Sequence, residues 1–339
     1  MRYTAIRPLL FRLDPETAHQ LTLKLIRLGG YQPFRAILNG MYAAPEKPVQ
    51  AFGLTFRNPV GLAAGYDKDA IAFRGLAALG FGHVEVGTVT PLPQSGNPRP
   101  RLFRLVEDRA LINRLGFPGQ GAEFVARQLT AARRPPSVVL GVNLGKNKDT
   151  PLEEAVEDYV VLLRRFLPLA DYLVINVSSP NTVGLRRLQG REMLEGLLGQ
   201  IARERAALAP DLSGRKPLLV KLAPDLSDEE LDDALEVILR TGMDGVIATN
   251  TTLGRTGLRS ARREEAGGLS GDPLRVRSEA VLRRVVKRLD GRLPAVSAGG
   301  IMSPEDAKTR LEAGAALVQV YTGLVYAGPG LVKDILQKV

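Results

Sequence analysis

Beyond residue 49 the chain alternates short apolar runs with helical stretches. The runs are Asn58–Gly65, His83–Thr90, Val138–Gly145, Tyr172–Ser179, Leu218–Pro224, Gly245–Thr252, Pro294–Ile301 and Leu317–Gly323. Most are rich in Val, Ile and Leu with little alternation, the pattern of strands buried on both faces. Helical patterns such as Pro151–Leu167 and Ser227–Thr241 fall between most of them, and Ser227-Asp-Glu-Glu230 has the form of a capping box. Eight βα repeats predict an α/β fold, a (β/α)8 TIM barrel. A doubly wound open sheet is the alternative. However, no G-x-G-x-x-G follows the first strand, and Gly141-Val-Asn-Leu-Gly145-Lys146 is one residue too short for a Walker loop.

Residues 1–45 follow a different pattern, a small N-terminal helical extension. Asp14-Pro15-Glu16 is a helix start: a capping Asp, Pro at the first helical position, and an acid at the positive end of the dipole. Ala18, Leu21, Leu25 and Leu28 then recur at helical spacing until Gly29-Gly30 stops the helix, and a second short helix is expected over Pro33–Leu38. Such an amphipathic pair either packs on a larger domain or lies on a membrane surface. Pro45–Pro48 reads as a linker, so the expected domains are 1–45 and 46–339, the second opening with a hairpin over Val49–Phe56. Two connections are too long for ordinary βα loops. Thr90–Phe117 reads as a hairpin inserted over the barrel mouth, and Arg255–Ser270 is a second, basic insert.

Polar residues concentrate where the strands end, the face on which such barrels build their sites. Lys68 follows the first strand, Thr88 lies in the second, Asn143 in the third, Asn176, Ser179 and Asn181 at the fourth, Lys221 in the fifth, and Thr249, Asn250 and Thr251 at the sixth. A single Asn or Thr in such a place commonly caps a helix or turn. Five asparagines (Asn113, Asn143, Asn176, Asn181 and Asn250) with Lys68 and Lys221 on one rim point instead to a planar ligand with carbonyl and N–H edges. The glycines after the last two strands, with Gly271, offer bare backbone N–H groups to a phosphate.

Composition narrows the chemistry. The 339 residues include no Cys and two His, His19 and His83, so disulfides, cysteine nucleophiles and multi-histidine metal sites are not expected. A phosphate handle without a nucleotide fingerprint or a catalytic His suggests FMN carried by the barrel. The net charge of +10 suggests a polyanion partner or simply an Arg-rich surface. Aromatic content of 5% without Trp leaves few stacking platforms for nucleic acid. No segment has the roughly 20 apolar residues of a spanning helix or the form of a signal peptide.

Several ordered blocks resemble the quinone-dependent (class 2) dihydroorotate dehydrogenases. They are Asn58-Pro-Val-Gly-Leu-Ala-Ala-Gly65 with Asp67-Lys68, Gly87-Thr-Val-Thr-Pro91, Leu111-Ile-Asn-Arg-Leu-Gly-Phe117, Asn143-Leu-Gly-Lys-Asn-Lys-Asp149, Asn176-Val-Ser-Ser-Pro-Asn181, Lys221-Leu-Ala-Pro-Asp225, Ala248-Thr-Asn-Thr-Thr252 and Gly267-Gly-Leu-Ser-Gly271. The resemblance implies oxidation of dihydroorotate to orotate in pyrimidine (UMP) biosynthesis, with FMN taking the electrons and a membrane quinone removing them. It implies FMN contacts at Ala64, Gly65, Tyr66, Asp67, Lys68, Thr88, Asn143, Asn176, Lys221, Thr249, Gly271, Gly300, Tyr321 and Thr322. It implies substrate contacts at Lys68, Asn113, Arg114, Leu115, Gly116, Phe117, Asn176, Asn181, Asn250 and Thr251. Ser179 would be the general base, Lys221 would stabilise charge on the reduced ring, and His19, Arg104 and Tyr321 would form the quinone end. Tyr66 departs from the Leu or Phe more usual in the family, and Leu10 stands where some members have a polar quinone contact. The N-terminal element would then serve as quinone access on an anionic membrane surface, peripheral at the cytoplasmic face of the cell membrane. No nucleic acid and no obligate protein partner are expected, and the chain is expected to be a monomer.

Overall fold

The computed structural model describes residues 3–132, 135, 137–211 and 214–339. Its centre is a closed parallel barrel of eight strands: β1 (Val60–Leu62), β2 (His83–Val89), β3 (Val139–Leu144), β4 (Tyr172–Asn176), β5 (Leu218–Leu222), β6 (Gly245–Ala248), β7 (Ala295–Ala298) and β8 (Leu317–Val320). Each pairs with its neighbours in chain order, and β8 closes on β1 through Val318, Gln319 and Val320 against Val60, Gly61 and Leu62. Every strand falls within one of the eight apolar runs. They are legible in sequence because helices cover the outside while side chains fill the inside, so both faces exclude water. The capping box at Ser227 forms as expected, with Ser227 Oγ accepting from Glu230 N.

The N-terminal extension holds three helices: α1 (Tyr3–Arg12), α2 (Pro15–Leu28) and α3 (Phe34–Met41). Asp14 caps α2 by accepting from Thr17 N at 3.0 Å, and Gly29 ends it. The helix α1 went unread because Pro8 interrupts its pattern and no acid marks its first turn. The extension is clamped to the barrel by side chains. Glu16 takes Arg101 at 2.8 Å and Arg99 at 3.0 Å, and Tyr3 donates to Val325 O. Ile26, Leu38 and Tyr42 pack against the main core.

The two long inserts share one structure. The expected mouth hairpin forms from Leu102–Leu105 and Ala110–Asn113, and Gly268–Gly271 of the second insert adds an antiparallel third strand beside Ala110–Asn113. Leu258 and Leu269 join Phe103, Leu105 and Ile112 in a small core of their own. This sheet roofs one side of the barrel mouth and places Asn113 and Ser270 over it.

Candidate active site

The asparagines of strands β3, β4 and β6 are linked in one chain of hydrogen bonds. Asn176 Nδ2 donates to Thr88 Oγ1 at 2.9 Å and to Asn143 Oδ1 at 3.1 Å, and Thr88 Oγ1 donates to Asn143 Oδ1. Asn143 Nδ2 donates in turn to Glu85 Oε1 at 2.8 Å. Across the mouth, Asn250 Nδ2 donates to Ser178 Oγ at 3.0 Å, and Asn181 Nδ2 donates to Asn113 Oδ1 at 2.8 Å. Asn143, Asn176 and Asn250 each use both the oxygen and the nitrogen of the amide in this network, so the rim is fixed before any ligand arrives.

Thr88, Asn113, Asn176, Asn181 and Asn250 of this network line a cleft at the strand ends. Its lining of amides, hydroxyls and Lys221 suits a planar heterocycle with carbonyl and N–H edges. Ala64, Gly65, Lys68, Thr88, Asn113, Leu115, Gly116, Phe117, Asn176, Ser179, Asn181, Lys221, Thr249, Asn250, Thr251, Gly271, Gly300, Tyr321 and Thr322 all border it. Gly271 and Gly300 must be glycine. Both have positive φ (+95° and +72°), and an added Cβ would lie 2.4 Å from Arg109 O and 2.3 Å from Arg275 Cα. Both glycines border the cleft, where backbone N–H groups can meet a phosphate.

Four expected contacts sit elsewhere. Asn143 lies beneath the cleft, reaching it through Thr88 and Asn176. The Arg114 side chain turns outward, pairing with Glu265 at 2.7 Å over the Phe103 ring. Asp67 is fully buried and accepts from Ile71 N and Ala72 N, while its carbonyl accepts from Gly87 N, so it builds the loop after β1. Tyr66 points away from the cleft and stacks edge-on to His19 and Tyr321 at centroid distances of 5.0 and 5.8 Å. Three residues beneath or beside the cleft carried no sequence signal: Glu85, Gln319 and Ser270. Glu85 and Gln319 are single polar residues in apolar strands, and Ser270 lies in a strand too short to recognise.

Ser179 is 4% exposed, and its Oγ accepts from Asn181 N at 3.2 Å. A hydrogen bond donated to that oxygen favours negative charge on it. Lys68 donates to Gly65 O at 2.7 Å, and burial brings its ammonium down to about 8. Lys221, 5% exposed, stands 3.7 Å from the Glu85 carboxylate within the barrel.

A second cavity, with an empty volume of ≈ 1510 Å³, lies between the N-terminal helices and the barrel. Its lining is largely apolar, including Ile6, Leu9, Leu10 and Val325, and His19 and Arg104 are its chief polar members. Arg104 sits 4.2 Å from the Phe11 ring centroid and donates to Phe11 O at 3.0 Å. Burial, with the Lys68 charge nearby, lowers His19 to about 4. Tyr321 borders both cavities, so one ring separates them. Among the described residues no helix is long and apolar enough to cross a membrane.

A family model for dihydroorotate dehydrogenase matches residues 48–339. The chain is 51% identical over 340 residues to the dihydroorotate dehydrogenase (quinone) of Azotobacter vinelandii, covering 99% of this chain and 96% of that one. It is 48% identical over 334 residues to the same-named protein of Idiomarina loihiensis, covering 98% and 99%. Among solved structures, the DHODH of Eimeria tenella in complex with ferulenol superposes with a TM-score of 0.88 at 42% identity, over 96% of this chain and 90% of that one.

Proposed function

The chain belongs to the quinone-dependent dihydroorotate dehydrogenases, and from that premise we propose that it oxidises dihydroorotate to orotate, with FMN as its flavin and a membrane quinone as acceptor, in pyrimidine (UMP) biosynthesis. The observation that carries this reading is the placing of an amide-lined cleft and a largely apolar cavity side by side, both bordered by Tyr321. A water-soluble dihydropyrimidine suits the first and a prenylated ring the second.

When bound, FMN would supply the two-electron redox chemistry between the dihydropyrimidine and the quinone. The protein does the rest. Ala64, Gly65, Thr88, Asn176, Lys221 and Thr249 would hold the ring, Gly271, Gly300 and Thr322 would meet the phosphate, and Tyr321 would stand between this cleft and the apolar cavity. Asn113, Asn176, Asn181, Asn250 and Thr251 orient the dihydropyrimidine, Lys68 meets its carboxylate, and the backbone of Leu115–Phe117 closes over it. Ser179 takes the C5 proton. Lys221 would offer the flavin a fixed, nearly buried cation, a preorganised electrostatic role. Fixed orientation supplies much of the acceleration.

We assign residues 1–45 to quinone access and membrane contact, and 46–339 to the catalytic barrel. Leu9, Leu25, Leu28, Phe34, Ile37 and Met41 of the three helices are exposed apolar side chains, a surface suited to the acyl boundary of a bilayer. Arg12, Lys24, Arg27 and Arg35 on the same helices suit anionic headgroups. The protein then works as a monomer, peripheral at the cytoplasmic face of the cell membrane.

The test is spectroscopic. Purified protein should carry a flavin spectrum that bleaches anaerobically with dihydroorotate and returns with a long-tailed quinone but not with fumarate or NAD. A colourless protein, or a flavin that dihydroorotate leaves oxidised, overturns the proposal.

A further inference from the structure

Arg186 lies outside every residue set assigned above, yet it ties together three loops of the barrel mouth. Its Nε donates to Ser178 O at 3.0 Å, its Nη1 donates to Asp225 Oδ2 at 2.8 Å, and its Nη2 donates to Thr251 O at 2.7 Å. The three acceptors follow strands β4, β5 and β6. The Arg186 side chain is one-fifth exposed and that of Asp225 similarly so. Asp225 is itself anchored, accepting from the Thr252 hydroxyl and from Leu253 N at 3.0 Å, with Arg277 3.4 Å away. Burial raises the Asp225 carboxyl and these hydrogen bonds outweigh it, so the acid is held below its ordinary value. It stays an anion across the working range.

The consequence lies in what the acceptors carry. Ser178 O belongs to the peptide plane that leads into Ser179, so the Nε bond fixes the orientation of that residue. Thr251 O sits in the turn that presents Asn250 and Thr251 to the ligand. Between Ser179 and Arg186 the chain is held by Asn181, which donates to Asn113, and by buried Leu185, while Val183 at its crest is 88% exposed; Arg186 ties this loop to those after β5 and β6 through one side chain. A planar fork with fixed N–H directions can set the angle between two loops, whereas a lysine ammonium would supply a charge without that geometry.

We propose that Arg186, seated on Asp225, is a positioning residue for proton abstraction, holding the Ser179 loop at a fixed distance from the Asn250–Thr251 wall. This rests on the reaction proposed above. Arg186 touches no reacting atom and acts through the two backbone carbonyls. A base displaced by about 1 Å loses on the order of 10²-fold in rate.

The experiment uses the flavin-loaded protein in anaerobic stopped flow. Arg186→Ala should retain flavin and slow its reduction by dihydroorotate about 10²-fold, while reoxidation by quinone stays at the wild-type rate. Added guanidinium should recover at least tenfold of the lost reduction rate by refilling the fork, and Arg186→Lys should fall between the two. Asp225→Asn, which keeps shape and removes the seat's charge, should show the same one-sided defect and serves if the alanine variant does not fold. Reduction within threefold of wild type in either variant overturns the proposal. So does a slow Arg186→Ala that guanidinium leaves unchanged, or either variant if its quinone reoxidation falls equally. If dihydroorotate fails to bleach the wild-type flavin, the proposed reaction is wrong, which is a separate outcome from any of these.

Discussion

Glu85 Oε1 lies 3.7 Å from Lys221 Nζ inside the barrel, where Glu85 is fully buried and Lys221 nearly so. The carboxylate is also bonded by Asn143 at 2.8 Å, by Gln319 at 2.7 Å and by the Tyr172 hydroxyl at 3.3 Å. Only Glu85 neutralises the lysine charge at this distance among the described residues, so the pair stands or falls together.

Glu85→Gln should therefore cost about 3–5 kcal/mol, because it leaves a buried cation uncompensated. Lys221→Met alone should strand the carboxylate at similar cost, and the double variant should cost well below the sum of the singles. Urea denaturation of all four proteins checks this. Additive losses would mean the two charges do not interact across the barrel.

The same pair shows where sequence reading reaches its limit. Lys221 stood out as a lysine ending an apolar strand, whereas Glu85 sat among valines with nothing to say that it faced inward. The strands were legible because burial on both faces leaves a continuous apolar run. The asparagine rim was legible because amides cluster where those runs stop. Gly268–Gly271 was not, since a four-residue strand containing two glycines owes its existence to pairing with Ala110–Asn113 rather than to its own residues. The outward turn of Arg114 toward Glu265 depends on a contact 151 residues away, which no local pattern encodes.

Histidine protonation should destabilise the fold on the acid side. Burial, joined by the Lys68 charge, lowers His19 to about 4, and burial alone lowers His83, whose ring nitrogens have no partner, to about 3. Both folded values lie below the unfolded value near 6.5, so the unfolded chain binds more protons between them. Stability is then full above about pH 6.5 and falls as pH drops, by up to about 1.4 kcal/mol per unit for each histidine. With only two histidines in the chain, proton NMR assigns them readily. A midpoint near 6.5 for either imidazole in the folded protein would refute this.

Gly75 measures how closely α2 rests on the barrel. An added Cβ would stand 1.8 Å from Ile26 O, a backbone atom that cannot step aside. Gly75→Ala should force the helix outward, at about 1–3 kcal/mol. On the proposed reading, turnover with a long-tailed quinone and binding to anionic vesicles should both fall, while flavin reduction by dihydroorotate should hold, since the strand-end residues lie beyond residue 48. Equal loss in both half-reactions would show that the extension supports the whole barrel rather than the quinone side.

Ser179 remains the sharpest point of the proposed chemistry. Its neighbour Ser178 is consumed by structure: its Oγ donates to Asn176 Oδ1 at 3.0 Å and accepts from Asn250 at 3.0 Å. Ser179 Oγ, by contrast, borders the cleft and accepts a single backbone N–H, from Asn181. That same bond is the ordinary one of a serine two residues before a turn amide, so geometry alone suits either a structural or a catalytic hydroxyl. Chemistry separates them. The chain has no cysteine, and its two histidines lie away from this cleft, one beside the apolar cavity and one at the base of the barrel. Ser179→Ala should keep FMN and bind orotate nearly normally, yet slow flavin reduction by at least roughly 10²-fold, the scale of a lost general base. Reoxidation by quinone should be unchanged, since the C5 proton leaves in the first half-reaction. Ser179→Cys should regain part of the rate as pH rises, because a thiolate can take the proton. Stopped-flow reduction of Ser179→Ala within about threefold of wild type would remove Ser179 from the chemistry and direct attention to Thr251, a hydroxyl residue that also lines the cleft.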